Sequence, residues 1–174
     1  MIVSSFKVGY LRCNCYLINI NDKYLLVDPG DDYYKIVEKI KNKDVIGILL
    51  THSHFDHTAC ANSIANLLNI PIYYSGNLKE GKHNIGDFKF DVINTFGHTM
   101  DSITFYFYED NIMFTGDFLF NGTIGRCDLP ESDYGVMLNS ISKIKKYDDD
   151  IIVYPGHGSK TTLGNEKKFN TYFK

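Results

Sequence analysis

Tryptophan is absent from this 174-residue chain, and proline and cysteine occur only four times each. So little proline excludes collagen-like and proline-rich extended chains. Cys13, Cys15, Cys60 and Cys127 are too few and too irregularly spaced for a disulfide framework in a chain of this size, which favours a reducing compartment. Cys13 and Cys15 lie two apart on one strand face, with no second CxC or CxxC to complete a zinc site, and are expected simply to pack. No apolar run approaches the roughly 18 residues of a membrane span. The opening MIVSSFKVGYLRCNCYLINI has no basic start, long apolar core and small-residue cleavage site, so a signal peptide is not expected and a cytoplasmic location is. Neither sign of charge dominates: 18 Lys and Arg face 21 Asp and Glu, a net −3. That balance removes the general electrostatic footprint of a nucleic-acid or anionic-membrane binder.

What is present is an ordinary globular composition, 44% hydrophobic and 22% charged. With no internal repeat, low-complexity tract or linker, residues 1–174 read as one α/β domain. Residues 14–20 and 23–28 flank Asn21-Asp22 as two strands flank a tight turn. From Asp32 to Lys41, Tyr33, Ile36, Val37 and Ile40 recur with the 3.6-residue period of a helix. Val45 to Leu50 is a buried-strand candidate, and Thr58 to Leu68 reads as a helix closed before Pro71. Strand-like runs follow at 71–75, 88–93, 103–108 and 111–115. A helix is expected between Glu131 and Lys146, with Tyr134, Leu138, Ile141 and Ile144 on one side. Ile151 to Tyr154 is a strand ending in Pro155-Gly156, and Asn165 to Phe173 a short helix.

The chemistry gathers where strands end. Three of the six histidines fall within Thr51-His52-Ser53-His54-Phe55-Asp56-His57, directly after the Val45 to Leu50 run. An extended segment there would throw His52, His54 and Asp56 to one side, while His57 turns into the next helix. His98 and His157 sit in comparable glycine-bearing turns, Gly97-His98-Thr99 and Gly156-His157-Gly158. Asp117, in Thr115-Gly116-Asp117, ends another apolar run, and a carboxylate with two acceptor oxygens can bridge two cations. Imidazole and carboxylate without thiolate suit zinc, iron or manganese. His83, between Lys82 and Asn84, matches none of these contexts and reads as surface.

Through His52-x-His54-x-Asp56-His57, His98, Asp117 and His157, the chain resembles the metallo-β-lactamase superfamily over nearly its whole length. Within it, Gly97-His98-Thr99, the segment from Thr115 to Phe120, the segment from Gly125 to Pro130, and Pro155 to Gly158 through Thr161 to Gly164 are similar to the glyoxalase II branch and its short bacterial relatives. The resemblance implies a four-layer αββα sandwich with the site at one edge between two sheets. It also implies one metal on His52, His54 and His98, a second on Asp56, His57 and His157, and Asp117 bridging them. Asp28, in Val27-Asp28-Pro29-Gly30, matches an acid that orients a ligand histidine, or is simply a turn-making residue. Arg126 would contact a substrate carboxylate or pair with an internal acid. Two departures lie beside the site: Met100-Asp101 stands where Pro-Gly is usual, and Cys127 where Thr is common. Asp117 itself departs from true β-lactamases, whose matching position is typically Cys. The C-terminal helical domain of full-length glyoxalase II has no counterpart expected here, which weakens the expectation of glutathione specificity.

The function implied is a hydrolase with two divalent ions, most simply zinc with iron or manganese as alternatives. It would cleave a small thioester such as a 2-hydroxyacyl-glutathione through a water bridging the metals, Asp56 accepting its proton. A thiolate leaving group needs no strong general acid, and none is evident beyond the ligands. The alternatives are a mononuclear iron persulfide dioxygenase using His52, His98 and Asp117, a lactone or phosphodiester hydrolase of the same fold, and a non-catalytic binding protein. No nucleic-acid or membrane partner is expected.

Overall fold

Alternation along the second strand decides how the layers stack. The computed structural model describes all residues from 1 to 174, and strand β2 (Cys13–Ile20), which follows β1 (Ile2–Val8), is buried over most of its length. Tyr16 and Ile18 enter one apolar cluster while Cys15 and Leu17 enter another, as the two-residue period of a strand requires. A sheet containing such a strand must be covered on both faces.

That sheet has the order β1-β2-β3-β4-β5, completed by β3 (Lys23–Val27), β4 (Asp44–Leu49) and β5 (Ile72–Tyr73). Its first pairings are antiparallel, whereas β3, β4 and β5 run parallel. The second sheet runs β13-β12-β9-β8-β7-β6, built from β6 (Gly81–Ile85), β7 (Phe88–Asn94), β8 (Ile103–Phe107), β9 (Ile112–Gly116), β12 (Ile152–Pro155) and β13 (Thr161–Thr162). A small ribbon pairs β10 (Leu119–Phe120) with β11 (Thr123–Ile124). Between the two large sheets lies a phenylalanine-rich core in which Phe88, Phe90, Phe105 and Phe114 meet Tyr16, Ile18, Leu25 and Val27. Helices α1 (Tyr33–Ile40) and α3 (Ala61–Leu68) cover the first sheet through Ile36, Ile40, Ile64 and Ala65. Helices α4 (Tyr134–Ile144) and α5 (Leu163–Phe169) cover the second through Met137, Ile141, Ile144 and Leu163, with Phe173 from a final 3-10 turn. The result is the expected αββα sandwich.

Several elements differ from the sequence-based expectation. The helix expected over Thr58 to Leu68 is two helices, a four-residue α2 (Phe55–Thr58) and α3, because the Cys60 amide donates to the carbonyls of Pro29 and Gly30 instead of continuing the first. Asp56 therefore lies inside a helical turn rather than on an extended segment. On α4 the buried face is Met137, Ser140, Ile141 and Ile144, while Tyr134 and Leu138 are exposed. The helix starts at Asp133, whose carboxylate accepts from the Val136 amide. His83 lies on β6, a strand not expected from its polar sequence, where its Nε2 donates to the Lys79 carbonyl.

Candidate metal centre

Strand direction collects the polar residues at one edge. Asp28 follows β3, His52 and His54 follow β4, and β3 and β4 are parallel. Asp117 follows β9 and His157 follows β12, another parallel pair, and β7, antiparallel to β8 as β8 is to β9, ends just before His98. All these loops thus emerge from carboxyl ends of strands at the cleft between the sheets. The first sheet fastens the loop carrying His157: the Asn14 amide donates to the Gly156 carbonyl, and Tyr16 Oη and Asn14 Nδ2 both donate to the Pro155 carbonyl. Gly156 is required there, because a Cβ would come within 2.2 Å of Asp117 Oδ1 and 2.6 Å of His57 Cε1.

The seven residues singled out in the sequence meet in two groups. In the first, His54 Nδ1 lies 3.2 Å from His52 Nε2 and 2.9 Å from His98 Nε2. In the second, His157 Nε2 lies 3.4 Å from His57 Nε2 and 3.1 Å from Asp56 Oδ2. Asp117 stands between them, with Oδ1 3.3 Å from His57 Nε2, and Oδ2 3.7 Å from His98 Nε2 and 3.5 Å from His157 Nε2.

The outward-facing ring nitrogens of His52, His54, His57 and His98 are all engaged. Asp28 Oδ2 lies 2.9 Å from His57 Nδ1 and accepts from Thr51 Oγ1, while Asp28 Oδ1 accepts from the Thr51 amide. With its proton given to Asp28, the Thr51 hydroxyl is left to accept from His52 Nδ1 at 3.0 Å, so one carboxylate orients a histidine of each group. His98 Nδ1 donates to the Arg126 carbonyl at 2.9 Å, and His54 Nε2 to Glu131 Oε1 at 2.8 Å. Glu131 was not singled out in the sequence.

These outer bonds test whether the site suits metal ions. In the first group they place the proton of a neutral imidazole on the outer nitrogen of His52, His54 and His98 and leave lone pairs facing one another at 2.9–3.2 Å, an arrangement that repels unless cations lie among them. Asp117 Oδ1 is buried with no hydrogen-bond partner. Facing lone pairs and an orphaned carboxylate oxygen fit divalent cations held by imidazole and carboxylate.

Without metal, charge must be balanced within the cluster. Burial would lower the His57 pKa, but Asp117 and Asp28 hold it well above the usual histidine value. Burial would raise Asp117, yet neighbouring His57 holds it well below the carboxylate range. His52 is pushed well down by burial and then by the His57 charge, and burial also lowers His98. The proton thus sits on His57, beside the carboxylate that a metal would otherwise neutralise.

Cys13 packs as expected but also touches this chemistry: its Sγ lies 3.5 Å from His57 Nδ1, and burial pushes its thiol up to about 11. Arg126 takes the internal-pairing course, its guanidinium forking onto Asp128 at 2.9 and 3.1 Å at the exposed surface. Beside His52 a cavity is lined by Leu50, Ser53, Asn62, Tyr74 and Asp101, so one of the two departures, Met100-Asp101, borders it.

Residues 8–89 and 79–157 match the family described as the metallo-beta-lactamase superfamily. The chain belongs to that superfamily. It is 32% identical to the hydroxyacylglutathione hydrolase GloC of Haemophilus influenzae, over 99% of this chain and 98% of that protein. Among solved structures, the BLEG-1 B3 metallo-beta-lactamase superimposes with a TM-score of 0.92 at 29% identity, covering 99% of each chain. TTHA1623, crystallised in a di-iron-bound form, gives 0.89 at 30% identity, covering 97% of this chain and 99% of its own.

Proposed function

We propose that residues 1–174 form one catalytic unit, a binuclear metal-dependent hydrolase whose substrate is a small thioester of the 2-hydroxyacyl-glutathione kind. The observation that carries this is the position of Asp117, within 3.3–3.7 Å of His57, His98 and His157 and so within reach of both groups. His52, His54 and His98 would hold one ion, Asp56, His57 and His157 the other, and Asp117 both. Zinc suits this donor set; the di-iron form of TTHA1623 makes iron the natural competitor. The intact thiols fit a cytoplasmic protein.

When bound, two divalent cations supply a water acidic enough to ionise near neutral pH and positive charge for the substrate carbonyl. The protein's part is orientation and proton handling. Asp28, through His57 directly and through Thr51 to His52, keeps both imidazoles in the tautomer whose lone pair faces inward. Asp56, partly exposed with Oδ2 at the rim of the second group, is placed to take a proton from the attacking water. The cavity beside His52 gives the acyl or thiol portion room, its wall mixing Leu50 and Tyr74 with Ser53, Asn62 and Asp101. A thioester asks least of this apparatus, because a thiolate departs without a general acid. The likeness to GloC supports the same substrate class.

The test is an anaerobic assay with zinc- or manganese-loaded protein, in which lactoylglutathione should release free thiol and a chelator should stop it. Iron-dependent oxygen consumption with glutathione persulfide, and no anaerobic thioester cleavage, would transfer the protein to the dioxygenase class. Faster turnover of a β-lactam or a lactone than of any thioester would keep the hydrolase and replace the substrate.

A further inference from the structure

Two of the three histidines in the first group are oriented by one surface loop, and Glu131 is its only side-chain contribution to them. His98 Nδ1 donates to the Arg126 carbonyl, and five residues later Glu131 Oε1 accepts from His54 Nε2. The loop is itself fixed. Ser132 Oγ closes a turn on the Leu129 amide and carbonyl, and the Asp133 amide donates to the carbonyl of Gly97, beside His98, at 2.8 Å. Gly97 lies at φ 138°, and a Cβ there would come 2.5 Å from Met137 Cα, so the start of α4 and the His98 turn are pressed together. Glu131 is therefore presented from a rigid platform.

This explains why the first group mixes nitrogens. His52 and His98 turn Nε2 inward, whereas His54 turns Nδ1 inward, because its Nε2–H is taken by Glu131. An imidazole that donates to a carboxylate is also a more basic ligand through its other nitrogen.

We propose that Glu131 is a positioning residue for His54, fixing its tautomer and ring orientation and thereby strengthening metal binding by the His52–His54–His98 group alone. The proposal rests on the binuclear reading above. Outer partners of this kind change metal affinity by roughly 10–100-fold.

The test measures zinc affinity of the wild type, Glu131→Ala and Glu131→Gln by competition with a chromophoric chelator, with proton NMR following the His54 Nε2–H resonance. Asp128→Ala, which removes the acceptors of the neighbouring Arg126 guanidinium without touching a histidine, controls for general loosening of the loop. Glu131→Ala should weaken one of two sites within that range, leave the other intact and expose the Nε2–H to rapid exchange. Glu131→Gln, whose amide oxygen still accepts, should recover part of the loss and keep the resonance. Unchanged affinities, an equal loss at both sites, an equal loss in Asp128→Ala, or a Gln variant as weak as Ala would each overturn the proposal. A wild-type protein binding fewer than two zinc ions would overturn the binuclear reading instead.

Discussion

His57 and His54 each engage a carboxylate through the nitrogen that points away from the cluster, at 2.9 Å to Asp28 and 2.8 Å to Glu131, yet their surroundings are opposite. The His57–Asp28 side chains are 0% and 2% exposed, those of His54–Glu131 25% and 46%. Water and salt screen the second pair and barely reach the first. A buried carboxylate must also have every lone pair satisfied, which is why Asp28 serves Thr51 as well as His57. The second group is thus built into the fold, while the first completes itself at the surface with a residue from a late loop. Removing outer partners should separate the two groups by the size and the spread of the damage.

The largest loss belongs to Asp117, which serves both groups. Asp117→Ala should abolish retention of both ions and cost at least several kcal/mol of transition-state stabilisation, about 10³-fold or more in kcat. Elemental analysis and steady-state kinetics check it, and retention of both metals with full turnover would show the bridge to be misplaced. Asp28→Ala comes next. It strands buried His57 and Thr51 without acceptors, so metal-free protein should lose about 3–5 kcal/mol of unfolding free energy, measured by denaturant titration. Both groups should lose affinity, unlike the one-sided effect expected at Glu131.

The pH dependence sharpens the same contrast. In the metal-free protein His57 is raised, so its contribution to stability is complete below about 6.5, its unfolded value, and is lost as pH rises through the folded value. Asp117 is lowered, so its contribution is present above about 3.9 and is lost as pH falls through its folded value. The two together favour the metal-free fold most between about pH 4 and 6.5. Metal needs neutral histidines, so metal content should fall as pH drops through about 6 to 5. The Tm gained on adding zinc should therefore grow from pH 5 to pH 8, and a gain independent of pH would contradict this balance. The smallest effect is expected at His83, on the outer strand β6 away from the cluster. His83→Ala should leave metal content and turnover unchanged.

Much of this arrangement was legible in the sequence because chemistry and topology coincide there. His52, His54, Asp56 and His57 fall in one six-residue stretch just after a strand end, and His98, Asp117 and His157 each follow an apolar run, so knowing that strands end at one edge brings them together. Asp28 carried the same signal in the turn after β3. Glu131 did not, because its partner is 77 residues away and it read only as the start of the helix expected between Glu131 and Lys146. The split between α2 and α3 was hidden for a similar reason: the Cys60 amide is diverted by carbonyls of a distant turn. Strand β6 was missed because GKHNI has no apolar alternation and is held by its ladder to β7. The burial of Met137 in place of Tyr134 and Leu138 follows from where α4 meets the Gly97 turn, which the helical period alone does not specify.

The central claim is that seven side chains hold two ions, and metal stoichiometry tests it most directly. Protein purified without added metal, then saturated with zinc and desalted, should carry two ions per chain by elemental analysis, falling to one in Asp56→Ala or His57→Ala with loss of thioester cleavage. Saturation at one ion, with both variants as active as the wild type, would contradict the account.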